Sequence, residues 1–264
     1  MATSKFTFFI ILFLLGLTEK SSTASRINSR KSCNFPAVYN FGDSNSDTGA
    51  ISAAIGEVPP PNGVAFFGRS AGRHSDGRLI IDFITENLTL PYLTPYLDSV
   101  GANYRHGANF ATGGSCIRPT VACFSQFHIG TQVSQFIHFK TRTLSLYNQT
   151  NGKTPFCKGV LARPKDFSKA LYTFDIGFVD PFDYCCVGAV GRGMGCGKTI
   201  FPNGTELYSS SCQNRKNFIS WDGIHYSETA NMLVANRILD GSISNPPLPT
   251  QKACKLTKNV VGKV

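Results

Sequence analysis

The stretch AVYNFGDS, residues 37–44, decides the fold. Residues 37–41 form a short, mostly apolar run, which stops at Gly42, Asp43 and Ser44. An apolar run that ends in small and polar residues is typical of a buried strand followed by a loop. We therefore predict a strand that delivers Ser44 to the end of a sheet.

The same pattern occurs twice more along the chain. Residues 108–111 are followed by Gly113 and Gly114, and residues 170–176 are followed by Gly177. Three apolar strands that each end in a small-residue loop favour a parallel sheet whose loops gather at one end. The sequence thus predicts an α/β fold.

Capping signals predict two helices. We expect Asp76 to cap a helix with apolar positions between 79 and 88, which Pro91 prevents from continuing. Ser227 should cap a second helix, which ends at Gly241. Between the two helices, residues 217–221 are interpreted as a further strand.

Residues 1–24 have the pattern of a signal peptide, with a weakly basic start, an apolar run and a small-residue exit. The alternative is a membrane anchor, but the run of twelve residues is shorter than the roughly 20 that a spanning helix needs. We predict one domain over residues 25–264, secreted to the extracellular space, the cell wall or apoplast, with no membrane span.

The chain has nine cysteines, and on an oxidising route these predict disulfides with at least one thiol left unpaired or paired between chains. No Cys-x-x-Cys pair occurs, so no metal site is predicted. Residues 43–54 imitate a calcium loop but lack its glycine and glutamate at the required positions. Three Asn-x-Thr sequons predict glycosylation at Asn87, Asn148 and Asn203.

The formal charge of the chain is +10. Removing residues 1–24 takes away Lys5, Lys20 and Glu19 and leaves +9. Such a field attracts polyanions, which favours association with an acidic cell-wall polymer. A nucleic-acid partner is not expected, because an exported chain without a basic and aromatic binding module has no means to recognise one.

Ser44, Asp222 and His225 together have the composition of a nucleophilic ester-cleaving site. Asp222 and His225 are three residues apart before a capped helix, so one carboxylate can orient the imidazole. Ser44 alone would more often be a turn residue, and its own N–H can point at a developing oxyanion. The other four histidines have no acidic neighbour at that spacing and are interpreted as non-catalytic; these are His74, His106, His128 and His138.

Four segments resemble shared blocks of the plant GDSL esterase/lipases, members of the SGNH hydrolase superfamily, and the overall character is that of the early-nodulin and fucosidase-like branch. The segments are 41–49 (FGDSNSDTG), 72–80 (GRHSDGRLI), 107–114 (GANFATGG) and 221–227 (WDGIHYS). The resemblance implies a flavodoxin-like three-layer fold with a mostly parallel sheet. It also implies Ser44 as nucleophile, His225 as base, Asp222 as its partner, and the N–H groups of Ser44 and Gly114 as oxyanion donors.

One block of that family is missing. Gly177 should begin Gly-x-Asn-Asp, but Phe178 and the residues after it resemble a much later part of the family. We expect an internal segment to be absent near 177–178, including the oxyanion asparagine. The predicted activity is hydrolysis of a small-molecule, lipid or polysaccharide ester without a cofactor. The alternatives are a weak or silent member that binds acyl or glycan ligands, and a truncated splice or gene-model product.

Overall fold

The computed structural model describes residues 33–119, 123–177, 185–187 and 195–258, and the predicted signal peptide lies outside them. The strands are β1 (Val38–Gly42), β2 (Gly107–Asn109), β3 (Leu171–Asp175), β4 (Cys186–Val187), β5 (Thr199–Ile200), β6 (Leu207–Tyr208) and β7 (Ser210–Ser211). The α-helices are α1 (Ala50–Ala54), α2 (Val64–Phe67), α3 (Ile80–Asn87), α4 (Ile129–Thr150), α5 (Pro155–Gly159) and α6 (Glu228–Asp240). Four 3-10 helices cover Pro164–Asp166, Pro202–Gly204, Arg215–Asn217 and Thr250–Lys258.

The main sheet is parallel and has the order β2-β1-β3, with Val38 opposite Gly107 on one side and Leu171 on the other. The three predicted strands and the α/β class are confirmed. β1 lies in the centre, so its loop emerges between the loops of its two neighbours. Gly42 is needed at the end of β1, because a Cβ there would lie 1.9 Å from the carbonyl oxygen of Asp175.

Helices cover both faces of this sheet, because successive side chains of β1 point in opposite directions. Tyr39 and Phe41 pack with Phe110 and with Phe139 of α4. Val38 points the other way, into a cluster with Leu79 and Leu93 beside α3, and α6 packs on α3. The result is helix, sheet and helix in three layers.

Two local predictions are wrong. Asp76 does not cap α3, which begins after Leu79; its carboxylate instead accepts from the backbone N–H of Glu228, 2.7 Å away, at the start of α6. Residues 217–221 do not form a strand. The backbone there closes a tight loop, in which the N–H of Trp221 donates to the carbonyl of His225 at 2.7 Å.

The end of α6 and its cap agree with prediction. Ser227 accepts from the N–H of Ala230 at 3.2 Å, and Gly241 ends the helix with a φ of 81°. α4 is 22 residues long, and the sequence patterns do not single it out.

β3 lies at the edge of the described sheet. Tyr172 and Phe174 are 40% and 60% exposed there, although their rings stack on Tyr39 and Phe41. In a parallel sheet such side chains are normally covered by helices packed on both faces. The described residues leave these two rings partly uncovered.

Four disulfides form and confirm the expected oxidised chemistry. They are Cys33–Cys254, Cys116–Cys123, Cys185–Cys212 and Cys186–Cys196, and buried Cys157 is free. Of the helices in the described ranges, none combines the length and apolar character that a bilayer crossing requires.

Candidate active site

Ser44, His225 and Asp222 form one hydrogen-bonded chain. The Ser44 hydroxyl lies 2.7 Å from Nε2 of His225. On the other side of the ring, Nδ1 lies 2.8 Å from Oδ2 and 2.9 Å from Oδ1 of Asp222. Because a carboxylate only accepts, Nδ1 carries the proton and Nε2 is left to accept from the serine. This arrangement can deprotonate Ser44 as it attacks a carbonyl.

The loop that carries the acid and the base is held by hydrogen bonds and disulfides. Asp222 Oδ1 accepts from the N–H groups of Ile224 and His225, at 3.1 and 3.0 Å. The carbonyl of Trp221 accepts from Cys186, and the indole of Trp221 donates to Asn62 at 3.0 Å. Trp221 is fully buried among the disulfide sulfurs. The orientation of the imidazole thus depends on the cysteine pairs that follow β3.

Ser44 sits in a turn fixed by the carboxylate of Asp43. Its two carboxylate oxygens accept from the N–H of Asn45 at 3.0 Å and from the N–H of Gly177 at 2.8 Å. This ties the loop after β1 to the loop after β3. The backbone N–H of Ser44 has no partner among the described residues.

A second unpaired N–H belongs to Gly114, in the loop after β2. Asp47 is fully buried and accepts from the N–H of Gly113 at 2.7 Å, and also from three N–H groups at the start of α1. Of the two adjacent glycines, Gly113 has its N–H occupied, whereas the N–H of Gly114 has no hydrogen bond within the described residues. The N–H groups of Ser44 and Gly114 are therefore free for an oxyanion, as such a site requires.

These groups open into a cavity of about 560 Å³, within the range of small-molecule sites. Ser44, His225 and Asp222 line it, with Gly114 on the opposite loop. An apolar wall is contributed by Ile51, Ile55, Val58, Pro59, Phe124 and Ile224, and two charged side chains, Glu57 and Lys198, reach it. The cavity can hold an apolar acyl group beside the serine.

Burial and hydrogen bonding shift the pKa values of the acidic groups in opposite directions. Burial raises the pKa of Asp222, but the charge of His225 and the hydrogen bonds from the loop outweigh it, so this pKa is below its usual value. Burial raises the pKa values of Asp43 and Asp47, and the backbone N–H groups that donate to these carboxylates offset the rise only in part. Burial and the nearby Asp43 raise the pKa of Asp175 to about 6.

His74, which the sequence favoured as non-catalytic, lines the same cavity. Its ring stacks on that of His225 with 4.9 Å between centroids. The partners are 151 positions apart, so no local spacing could reveal the contact. No group of three or more metal-binding side chains occurs in the described residues. The three sequon asparagines, Asn87, Asn148 and Asn203, are all exposed.

Comparison with known proteins gives a consistent assignment. The sequence model described as GDSL-like Lipase/Acylhydrolase matches residues 38–195. A GDSL esterase/lipase of Arabidopsis thaliana is 58% identical over 379 aligned positions, which cover 98% of this chain and all of the relative. GDSL esterase/lipase ENOD8 of Medicago truncatula is 30% identical, over 85% of this chain and 91% of its own. Alpha-L-fucosidase 3 of Arabidopsis thaliana is 49% identical over 63% of this chain and 44% of its own.

The first of these alignments is much longer than the chain. Because 98% of 264 residues is about 259, about 120 of its 379 positions carry no residue of this chain. This relative thus has about 120 positions without a counterpart in this chain.

Proposed function

Because the chain belongs to the GDSL-like lipase/acylhydrolase family, we propose that it hydrolyses carboxylic esters through an acyl-enzyme on Ser44. His225 takes the serine proton as the hydroxyl attacks the ester carbonyl, and then gives it to the leaving alcohol. A water deprotonated by the same imidazole then releases the acid. The observation that carries this proposal is the hydrogen-bonded chain from Asp222 through His225 to Ser44.

Two backbone donors support the proposed oxyanion site. The N–H groups of Ser44 and Gly114 are unpaired within the described residues and belong to loops that both line the cavity. They would stabilise the tetrahedral intermediate as negative charge develops on the carbonyl oxygen. Residues of this chain carry every step, and the proposal uses no cofactor.

A fluorophosphonate probe tests this mechanism directly, because it reacts only with an activated serine. We expect one adduct per chain, on the peptide that contains Ser44, and hydrolysis of p-nitrophenyl butyrate that the probe abolishes. Ser44→Ala should lose both properties with an unchanged melting temperature. An adduct elsewhere, or turnover by Ser44→Ala at the rate of the native chain, would refute the assignment.

We also propose that the stretch missing relative to the family lies between Gly177 and Phe178. Support comes from the length of the alignment, from the exposed aromatic edge of β3, and from the resemblance, in which Gly177 should begin Gly-x-Asn-Asp. An enzyme without that asparagine lacks one oxyanion donor, a loss that costs about a hundredfold to a thousandfold in kcat. A weak esterase, or a silent member that only binds acyl or glycan ligands, is therefore the second candidate.

Inserting the missing stretch of the Arabidopsis relative between Gly177 and Phe178 tests this second proposal. We expect kcat to rise by about two orders of magnitude, KM to change little, and the melting temperature to increase as the edge of β3 is covered. Equal kcat and melting in both proteins would show that the chain is complete as written.

Secretion forms a further part of the proposal. Four disulfides and three exposed sequon asparagines support an oxidising, extracellular destination. We propose that residues 1–24 are removed, that Asn87, Asn148 and Asn203 carry glycans, and that the basic mature chain associates with acidic wall polymer. N-terminal sequencing and intact mass of the secreted protein test the first two points. A retained Met1 without glycan would contradict them.

A further inference from the structure

We propose that His74 is a positioning residue, which holds the imidazole of His225 in its working orientation by stacking on it. This inference rests on the proposed function, because it assigns His74 a role in the ester hydrolysis proposed above.

The first observation is the position of the ring between the two halves of the site. On one side it stacks on His225, with 4.9 Å between centroids and 27° between planes. It also lies near the loop after β2, since a Cβ added to Gly113 would lie 3.3 Å from Cε1 of His74. The ring is therefore held between neighbours in the cavity, and it limits rotation of the His225 ring out of line with Asp222 and Ser44.

The second observation is an unpaired nitrogen. Nδ1 of His74 is buried and has no hydrogen-bond partner in the described part of the chain. Buried polar atoms are nearly always paired, and unpaired ones concentrate at functional sites. Because Nδ1 makes no hydrogen bond in the described residues, the stacked ring face is the part of His74 that acts on the base.

The third observation concerns charge. Burial and the neighbouring His225 lower the pKa of His74 to about 3, with Lys198 acting in the same direction and Asp222 opposing it. His74 is therefore neutral over the whole range in which an esterase works. A neutral ring can stack on the imidazolium that forms during acylation, whereas a second cation at this distance would repel it. The stack thus restrains the base without opposing its protonation.

Three variants separate the contribution of the ring from that of the nitrogen. His74→Phe keeps the stack and removes the nitrogen, His74→Ala removes both, and His74→Gln keeps a polar group without a ring. We expect His74→Phe to retain kcat within about threefold and to melt at the same or a higher temperature, because the unpaired nitrogen is gone. His74→Ala and His74→Gln should lose about ten- to a hundredfold in kcat through misplacement of the base, with KM within about threefold.

A readout that needs no turnover distinguishes failure of this inference from failure of the proposed function. The proton between Nδ1 of His225 and Asp222 should give a far-downfield NMR resonance, present in the native protein and in His74→Phe and broadened or lost in His74→Ala. The proposed function itself fails if the native chain is no more active than Ser44→Ala, and the resonance still tests the stack in that case. A His74→Phe variant as impaired as His74→Ala, or a His74→Ala variant with native kcat and resonance, would overturn the role of the stack.

Discussion

Asp222→Asn tests the proton geometry of the site most sharply. In the native chain Oδ1 accepts two backbone N–H groups, so an asparagine would place its carbonyl oxygen there and its NH₂ where Oδ2 now lies, 2.8 Å from Nδ1 of His225. Nδ1 would then face a donor on that side, and its proton could be accepted only by the amide oxygen at 2.9 Å, which already accepts from two backbone N–H groups. The ring proton would move to Nε2, which faces the Ser44 hydroxyl at 2.7 Å and could no longer take its proton.

The size of the effect is the free energy needed to bring the His225 ring of the variant back to the tautomer that carries its proton on Nδ1. That tautomer loses a hydrogen bond to a charged group, about 1.5–3 kcal/mol, and leaves two buried donors facing each other, at about 1–3 kcal/mol each. A total of about 5 kcal/mol corresponds to a loss of roughly 10³- to 10⁴-fold in kcat/KM. The substitution preserves shape, so the effect should appear in activity and not in the fold.

Hydrolysis of p-nitrophenyl butyrate across pH, with circular dichroism of each variant, measures this loss. Asp240→Asn is the matched control, because it makes the same chemical change at an exposed site at the end of α6, and it should leave kcat/KM unchanged. If Asp222→Asn stays within tenfold of the native chain while Ser44→Ala is inactive, the imidazole is not oriented by Asp222.

Three further perturbations probe the frame around the triad. Asp47→Asn should lower kcat about ten- to a hundredfold with little change in KM, because an amide cannot accept all four N–H groups and releases that of Gly113. An unchanged kcat would show that Asp47 does not position the loop that carries Gly113 and Gly114. Asp175→Asn should stabilise the protein by about 3 kcal/mol at pH 7 and by almost nothing at pH 3.5. The stability that protonated Asp175 gives the native protein is lost as the pH rises from about 4 to 6, because the folded carboxyl binds its proton more tightly than the unfolded one. An effect on the melting temperature that does not change with pH would contradict the raised pKa. Cys33→Ser should destabilise the chain by up to about 5 kcal/mol in urea melts, because Cys33–Cys254 closes a loop of 221 residues, and a loss below about 1 kcal/mol would show that the unfolded chain gains little freedom.

The grouping of Ser44, Asp222 and His225 could be predicted because its signals are local. Ser44 follows directly from a strand, and Asp222 and His225 are close enough in sequence for their pairing to be inferred. Ser227 and Gly241 likewise define α6 through backbone requirements of single residues. Each of these predictions needs only a few consecutive residues.

The supporting groups could not be predicted because their partners are distant in sequence. Asp76 has the composition of a local cap, yet its carboxylate serves the start of α6, 152 positions later. His74 meets His225 only after α3 and α6 have packed together. Asp47 joins the start of α1 to the loop after β2. Tertiary packing decides each of these contacts, and a pattern within one segment does not contain it.

The loops after β1 and β3 are tied to each other, separately from the loop that carries Asp222 and His225. Asp43 accepts from Gly177, and Gly42 approaches the backbone of Asp175 closely. The backbone of the turn at Ser44 is thus tied to the loop after β3 by residues up to Gly177. Asp222 and His225 are held separately, by Cys186, Trp221 and Asn62. The deletion proposed above would lie between these two supports, where the serine and the imidazole are 2.7 Å apart, so we expect it to affect the proposed oxyanion asparagine and the exposed side chains of β3 and not the triad.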